Sequence, residues 1–292
     1  MSAPRRRRRT TPRDRAGTPR LLRWPRRATR QRWLRRLRQL RRAPVALRLL
    51  IGVLLVAGVA LAVNGVYQVV RKPTELFFPV SGVLAKTPQE SWREYGPAFR
   101  RYATPAIAPE LLAALAQVEG SGNPLVRTYW RWSWAPGLFD LYRPASSAVG
   151  MYQITDGTFA EARHYCIHHH ALMHEGAWND WRSCWFNGLY TRVVPRDAIE
   201  LTAAYLDLKV NAILAHDPRH TASAQQTQHL AAVVHLCGAG AAALYAQRGY
   251  RFAEGQRCGA HDPREYLRRV DEMRRVFTQL RAETEDAAED AQ

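Results

Sequence analysis

Pro109-Glu110-Leu111-Leu112-Ala113-Ala114-Leu115-Ala116-Gln117-Val118-Glu119-Gly120-Ser121-Gly122-Asn123-Pro124 reads as an apolar helix that runs into a tight turn. Proline suits a first helical position, because the N–H it lacks would be unpaired there anyway. Leu111, Leu112, Leu115 and Val118 recur at helical spacing, and Gly120 is a natural stop. One carboxylate, Glu119, stands on the last turn. The negative end of the helix and the apolar neighbours both disfavour a charge there. That suits a carboxyl that must carry a proton near neutral pH. The plain alternative is a solvated helix-end glutamate, and on this segment alone it is the simpler reading.

Helical signals continue on the C-terminal side. Asp156 can cap a helix over Thr158–Tyr165. Asp197 and Glu200 have capping-box spacing ahead of a long helix through Leu201, Tyr205, Leu208 and Ile213. Leu230–Leu236 reads as a short buried helix ending at Gly238, and Ala241–Arg248 as another that stops at Gly249. Asp262, Pro263 and Glu265 open an amphipathic helix carrying Leu267, Val270, Met273, Phe277 and Leu280. The acidic tail, 282–292, is expected to fray. Strands alternating with helices are not apparent, so the fold class is mainly α. The domain, 93–281, spans about 190 residues, enough for a real core.

On the N-terminal side the composition changes. The chain has 292 residues and a formal net charge of +18. Eighteen arginines lie between Arg5 and Arg42 beside one acid, Asp14, so this tail accounts for all but one of the net positive charges. Such a segment buries too little apolar surface to fold, and 1–43 reads as a disordered arm. A dense Arg run also attracts nucleic acid, but a membrane explains it more simply. Leu49–Val70 contains no charged residue. At the usual helical rise its 22 positions reach about 33 Å, enough to cross a bilayer core. Residues 44–70 are therefore expected to be a transmembrane anchor. The Arg excess before it places the tail in the cytoplasm and everything after Val70 outside it. A cleaved signal peptide is the rival, with Ala60-Leu61-Ala62 as a cleavage site, but the run before the apolar stretch is too long for one. Residues 71–92 read as a linker, with a short extended piece at Leu76–Val80.

All four cysteines, Cys166, Cys184, Cys237 and Cys258, follow the apolar run. Two disulfides suit an oxidising compartment. Three pairings are open, of which Cys166–Cys184 and Cys237–Cys258 close the shortest loops. A metal site from the crowd of His164, Cys166, His168, His169, His170 and His174 is the weaker reading, since no Cys-x-x-Cys is present. Neither metal nor cofactor is expected.

Two further segments join the first. Ser146-Ser147-Ala148-Val149-Gly150-Met151-Tyr152-Gln153-Ile154 places a glycine where backbone can approach closely. Ala231-Ala232-Val233-Val234-His235-Leu236-Cys237-Gly238-Ala239-Gly240 ends a buried helix in two glycines. In this order and spacing the three resemble the soluble lytic transglycosylase (SLT-type) domain family. That family shows Glu-Ser-Gly-Gly-Asn-Pro, then Gly-Leu-Met-Gln-Ile, then Ala-Tyr-Asn-Ala-Gly-x-Gly. The resemblance spans about Pro109 to Gly249, roughly half the chain. It implies a lysozyme-like fold and cleavage of peptidoglycan between N-acetylmuramic acid and N-acetylglucosamine. Glu119 would be general acid and then base, leaving a 1,6-anhydro end. Ordinary glycosidases use two carboxylates. Here Asp140, Asp156 and Glu161 offer no obvious second one.

The resemblance also carries over a supporting set: Ser121, Gly150, Met151, Tyr152, Gln153, His235 and Gly238. Two departures stand out. Where the family has a tyrosine that hydrogen-bonds the acid stands His235, either a substitute donor or a satisfied core histidine. Gly120 replaces the family serine, so Ser121 takes over that contact or nothing does. Trp130 and Trp132 can stack on sugar rings as a groove wall, or can be core or a partner patch. Trp178, Trp181 and Trp185 are expected to pack a disulfide-tied loop. Expected partners are glycan strands, the inner membrane and a cell-envelope assembly, with nucleic acid set aside. The alternatives are a hydrolytic muramidase on the same fold and an inactive glycan-binding scaffold.

Overall fold

The computed structural model describes residues 44–77, 81–126, 128–133, 141–177, 179–180, 183–216 and 221–290. The Arg-rich arm, Trp134, Asp140, Trp178, Trp181 and the side chain of Trp185 lie outside the described residues. The chain divides into two units, Met1–Val59 and Ala60–Gln292. Helix α1, Val45–Arg71, begins in the first and ends in the second. It is long and apolar enough to serve as a membrane span or signal helix, with a mean hydropathy of 2.6 over its most apolar window. Leu49 through Val59 is exposed almost throughout.

The second unit is mainly helical. After α1, 3₁₀ turns at Pro73–Phe77 and Ser81–Leu84 lead into α2, Pro88–Tyr102. The described part of the Leu76–Val80 stretch is thus 3₁₀ and not extended. Helix α2 starts inside the stretch expected to be linker. Thr87, one of the residues that suggested a linker, is in fact an N-cap. Its hydroxyl accepts from Glu90 N (3.2 Å) while Glu90 Oε2 accepts from Thr87 N (2.8 Å). Trp92, Tyr95, Phe99 and Tyr102 recur along one face of α2 and are all buried.

Helix α3, Pro109–Gly120, is the centre of the fold: Leu111 through Ala116 are essentially inaccessible. It packs against α2, α5 (Pro195–Ala215), α6 (Ala224–Gln247) and α7 (Pro263–Glu289). Helix α6 is also apolar enough to cross a membrane by length and composition, but Leu230–Val234 are buried in this core. Between α3 and α5 lie a short α4, Asp156–Ala162, and two antiparallel ribbons. Strands β1 (Trp130–Trp132) and β2 (Tyr142–Pro144) form one, β3 (Tyr165–His168) and β4 (Ala171–His174) the other. The sequence pattern did not announce these strands, which are only three or four residues long.

Several helix ends differ from expectation. Thr155, one place before Asp156, caps α4 by accepting from Thr158 N. Helix α5 opens on Pro195, and the two acids expected to cap it do other work. Asp197 Oδ2 accepts from Thr191 N (3.0 Å). Glu200 is buried, accepting from Ile167 N (3.1 Å) and Tyr190 OH (2.9 Å). Helix α6 runs through both expected pieces, and its backbone leaves helical geometry at Gly238 (φ 79°, ψ 165°), where the first was expected to end. Asp262 caps α7 as its position suggested. That helix continues past Arg281 to Glu289, held by Arg281–Glu285 (2.8 Å) and by Arg281–Glu110 (2.9 Å) from α3.

Candidate active site

Glu119 is placed by the way α3 ends. Ser121 (φ 50°) and Gly122 (φ 63°) both turn left-handed, and their N–H groups cap carbonyls of the last turn, Gln117 and Ala116. A Cβ on Gly122 would fall 2.3 Å from Ser91 Oγ. Gly120 touches the 150–154 turn backbone to backbone, since a Cβ there would lie 2.9 Å from the Cα and carbonyl of Met151. A serine in place of Gly120 therefore has no room. Ser121 is exposed, and no described hydrogen bond joins its side chain to Glu119.

The facing turn is equally determined. Val149 pairs with Ile154 in an isolated bridge. Gly150 (φ 77°) lies so close to Arg192 that a Cβ would meet its carbonyl at 2.1 Å. Gln153, also left-handed, donates from Nε2 to Gly150 O (2.9 Å) and Val126 O (3.3 Å), so its amide braces the turn. Met151 and Tyr152 are fully buried, and the Tyr152 hydroxyl donates to Leu112 O (3.0 Å). Their side chains support the site from beneath.

Two side chains meet the carboxylate. Tyr266, on α7, donates its hydroxyl to Glu119 Oε1 at 2.6 Å. His235, on α6 just before the break at Gly238, holds Nε2 3.7 Å from the same oxygen. Glu119 keeps 19% of its side-chain surface exposed and His235 12%, so the group opens to solvent through the acid. Burial pushes the Tyr266 phenol well above its ordinary value, and the Glu119 charge adds to this, so it stays a donor. Burial lowers the His235 pKa. The Glu119 charge and a hydrogen bond to the Tyr152 backbone oppose that shift. His235 is therefore neutral at pH 7 and its ring stands edge-on to Tyr152 (6.4 Å).

The sequence reading missed Tyr266. A signal was present: Tyr266, Val270, Met273 and Phe277 form one stripe of α7, and its first member is a phenol. The phenol that reaches Glu119 thus comes from α7, while position 235 on α6 carries a histidine.

Other candidates fall elsewhere. Trp130 Nε1 donates to Glu75 Oε2 (2.8 Å), and both Trp130 and Trp132 pack on Tyr142. Their described contacts lead to the segment after α1, not to Glu119. Asp156 pairs with Arg192 (2.8 Å), and Glu161 with Lys209. Cys166–Cys184 and Cys237–Cys258 are disulfides, with Cα atoms 5.5 and 5.1 Å apart. These two bridges suit an extracytoplasmic domain. His164 pairs with Glu175 (2.5 Å), and among the described residues no group of three or more His, Cys, Asp or Glu could hold a metal ion.

No family model and no curated protein matches the chain. What it does has to be argued from the Glu119 constellation itself.

Proposed function

We propose that this chain is a lytic transglycosylase with a lysozyme-like catalytic domain, held by α1 in a bacterial inner membrane and facing the periplasm. The observation that carries this reading is a single half-buried carboxylate gripped by the Tyr266 hydroxyl, with a neutral histidine beside it. With Tyr266 donating to Oε1, Oε2 is the oxygen left to carry the acid proton. That proton passes to the glycosidic oxygen as the C1–O bond breaks and its electron pair leaves with the oxygen. The substrate's own N-acetyl group stabilises the cationic sugar. Glu119, now a carboxylate, takes the proton of the muramoyl 6-hydroxyl as that oxygen bonds to C1. No water is consumed and one carboxyl suffices, which accords with Asp156 and Glu161 being occupied by Arg192 and Lys209. The phenol retained through Tyr266 supports turnover over an inactive scaffold.

The test is Glu119→Gln in the full chain, assayed by mass spectrometry of muropeptides released from purified sacculi. Release of anhydro ends should fall at least ~100-fold, the lower end of what a positioned general acid contributes, with binding to sacculi retained. Full activity in the folded variant would refute the assignment. Free reducing ends from the wild type would make the enzyme a muramidase, and sacculus binding with no release at all would make it a scaffold.

A further inference from the structure

The C-terminal turns of α1, and Lys72 just past them, are fastened to the domain. Asn64, Gln68 and Lys72 lie one helical turn apart, and all are buried. Asn64 Nδ2 donates to Tyr142 O (2.6 Å). Lys72 Nζ donates to Ala148 O (2.9 Å) and Ser146 O (3.3 Å) and pairs with Glu75 (3.3 Å). The β1–β2 ribbon and the loop after it thus lie beside the end of the apolar run. Tyr129 (73% exposed) just before β1 and Trp132 (62% exposed) at its end flank Trp130 and Arg131. Exposed aromatic and arginine side chains together are typical of the boundary between bilayer and water.

Next to the ribbon is a cavity of about 300 Å³ whose charged lining is Arg71, Lys72, Arg131, Arg143, Arg192 and one acid, Asp156. Among the described residues, and including Glu75 behind Lys72, five cations face two carboxylates. Arg131 and Arg143 are direct cross-strand partners. An anion beside such a pair offsets the repulsion between its like charges. The excess is local, because the chain beyond the N-terminal arm is almost neutral. Guanidinium groups bind phosphate oxygens in pairs, and a cavity of this size sits at the lower end of small-molecule sites.

We propose that this cavity binds the phosphate of an anionic phospholipid headgroup, seating the ribbon on the membrane surface beside the end of α1. The inference rests on the reading of α1 as a membrane span and not on the chemistry of Glu119.

The experiment uses the full chain in neutral-detergent micelles doped with a phosphatidylglycerol that carries a photoactivatable headgroup. Adducts are mapped by peptide mass spectrometry. Adducts should appear on the peptides of 129–133 and 143–147. Arg131→Gln should cut them about tenfold, as expected for one lost charge-assisted hydrogen-bonding partner, and Arg131→Lys should restore most of the yield. Adducts on the N-terminal arm should not change in any variant, which controls for lipid delivery. Adducts confined to that arm, or domain adducts indifferent to Arg131→Gln in protein of unchanged melting temperature, would overturn the proposal. Displacement of the lipid adduct by excess inorganic phosphate would reassign the cavity to a soluble phosphate and overturn the lipid source. Carbonate extraction of the chain from its membranes tests the span reading separately: a chain released by carbonate would fail that reading whatever the adducts show.

Discussion

Tyr266→Phe isolates the one hydrogen bond that, among the described residues, reaches the proposed catalytic carboxyl. The phenol donates at 2.6 Å to Glu119 Oε1, and the ring is 2% exposed, so phenylalanine fills the same space. A hydrogen bond to a charged group contributes about 1.5–3 kcal/mol. If that bond steadies the carboxyl throughout the two proton transfers, kcat falls about 10- to 100-fold. The fold should change little. The ring stays buried, Phe has no hydroxyl to desolvate, and Glu119 is open enough to water to recover a partner. A stability change within about 1 kcal/mol shifts the melting temperature by about 2–4 °C in a domain of this size. Because Tyr266 acts through Glu119 and not on the sugar, KM for sacculi should stay put. Combined with Glu119→Gln, Tyr266→Phe should add almost nothing, as expected for residues that act as a unit. The assay is initial-rate release of anhydro-muropeptides, with thermal melting alongside. A kcat within twofold of wild type, or a rate loss that simply tracks a large drop in melting temperature, would refute a positioning role.

Three further outcomes are expected. Gly150→Ala forces a Cβ to 2.1 Å from Arg192 O at φ 77°, so denaturant melts should show a loss of more than about 2 kcal/mol; a neutral result would mean the turn is free to move. Removing either disulfide as a Cys-to-Ala pair should cost about 3 kcal/mol from the loop it closes. Only loss of Cys237–Cys258, two residues from His235, should also depress activity in protein that remains folded; equal activity losses from the two pairs would contradict this. Burial holds the His235 pKa below its ordinary 6.5, so below that pH the unfolded chain binds the proton more readily than the folded one. Unfolding free energy should therefore drop as pH falls through this range, by up to about 1.4 kcal/mol per pH unit from this group. In His235→Gln that component should vanish, and superimposable acid limbs in the two proteins would exclude it.

The sequence showed the helix ends wherever a single residue type does the work. Pro109, Gly120, Asp262 and Pro263 mark boundaries that the structure keeps, and the left-handed break falls at Gly238. It failed where one residue type serves two purposes. Thr87 and Pro88 look like linker and are a cap and a first turn. Asp197 and Glu200 look like a capping box and instead hold neighbouring segments. Glu119 was legible because its carboxyl, its helix end and its glycines are contiguous in the chain. Tyr266 was not, because it comes from 147 residues away and local periodicity records it only as one more apolar-face position. The Arg131–Arg143 juxtaposition was hidden for the same reason, since it depends on the register of a ribbon only three residues long.

The polar stripe Asn64, Gln68 and Lys72 has a mechanical corollary. An enzyme on a floppy leash can sweep a volume set by the length of that leash, and can act on targets far above its anchor. Here the leash is short at its base, because the last two turns of the uncharged run and Lys72 just past it are themselves held by the domain. On the proposed reading, little free chain then separates the end of the span from the domain that cuts. Reach into the wall is then limited by that short connection, and inserting residues that shift the stripe out of register changes which strands can be reached.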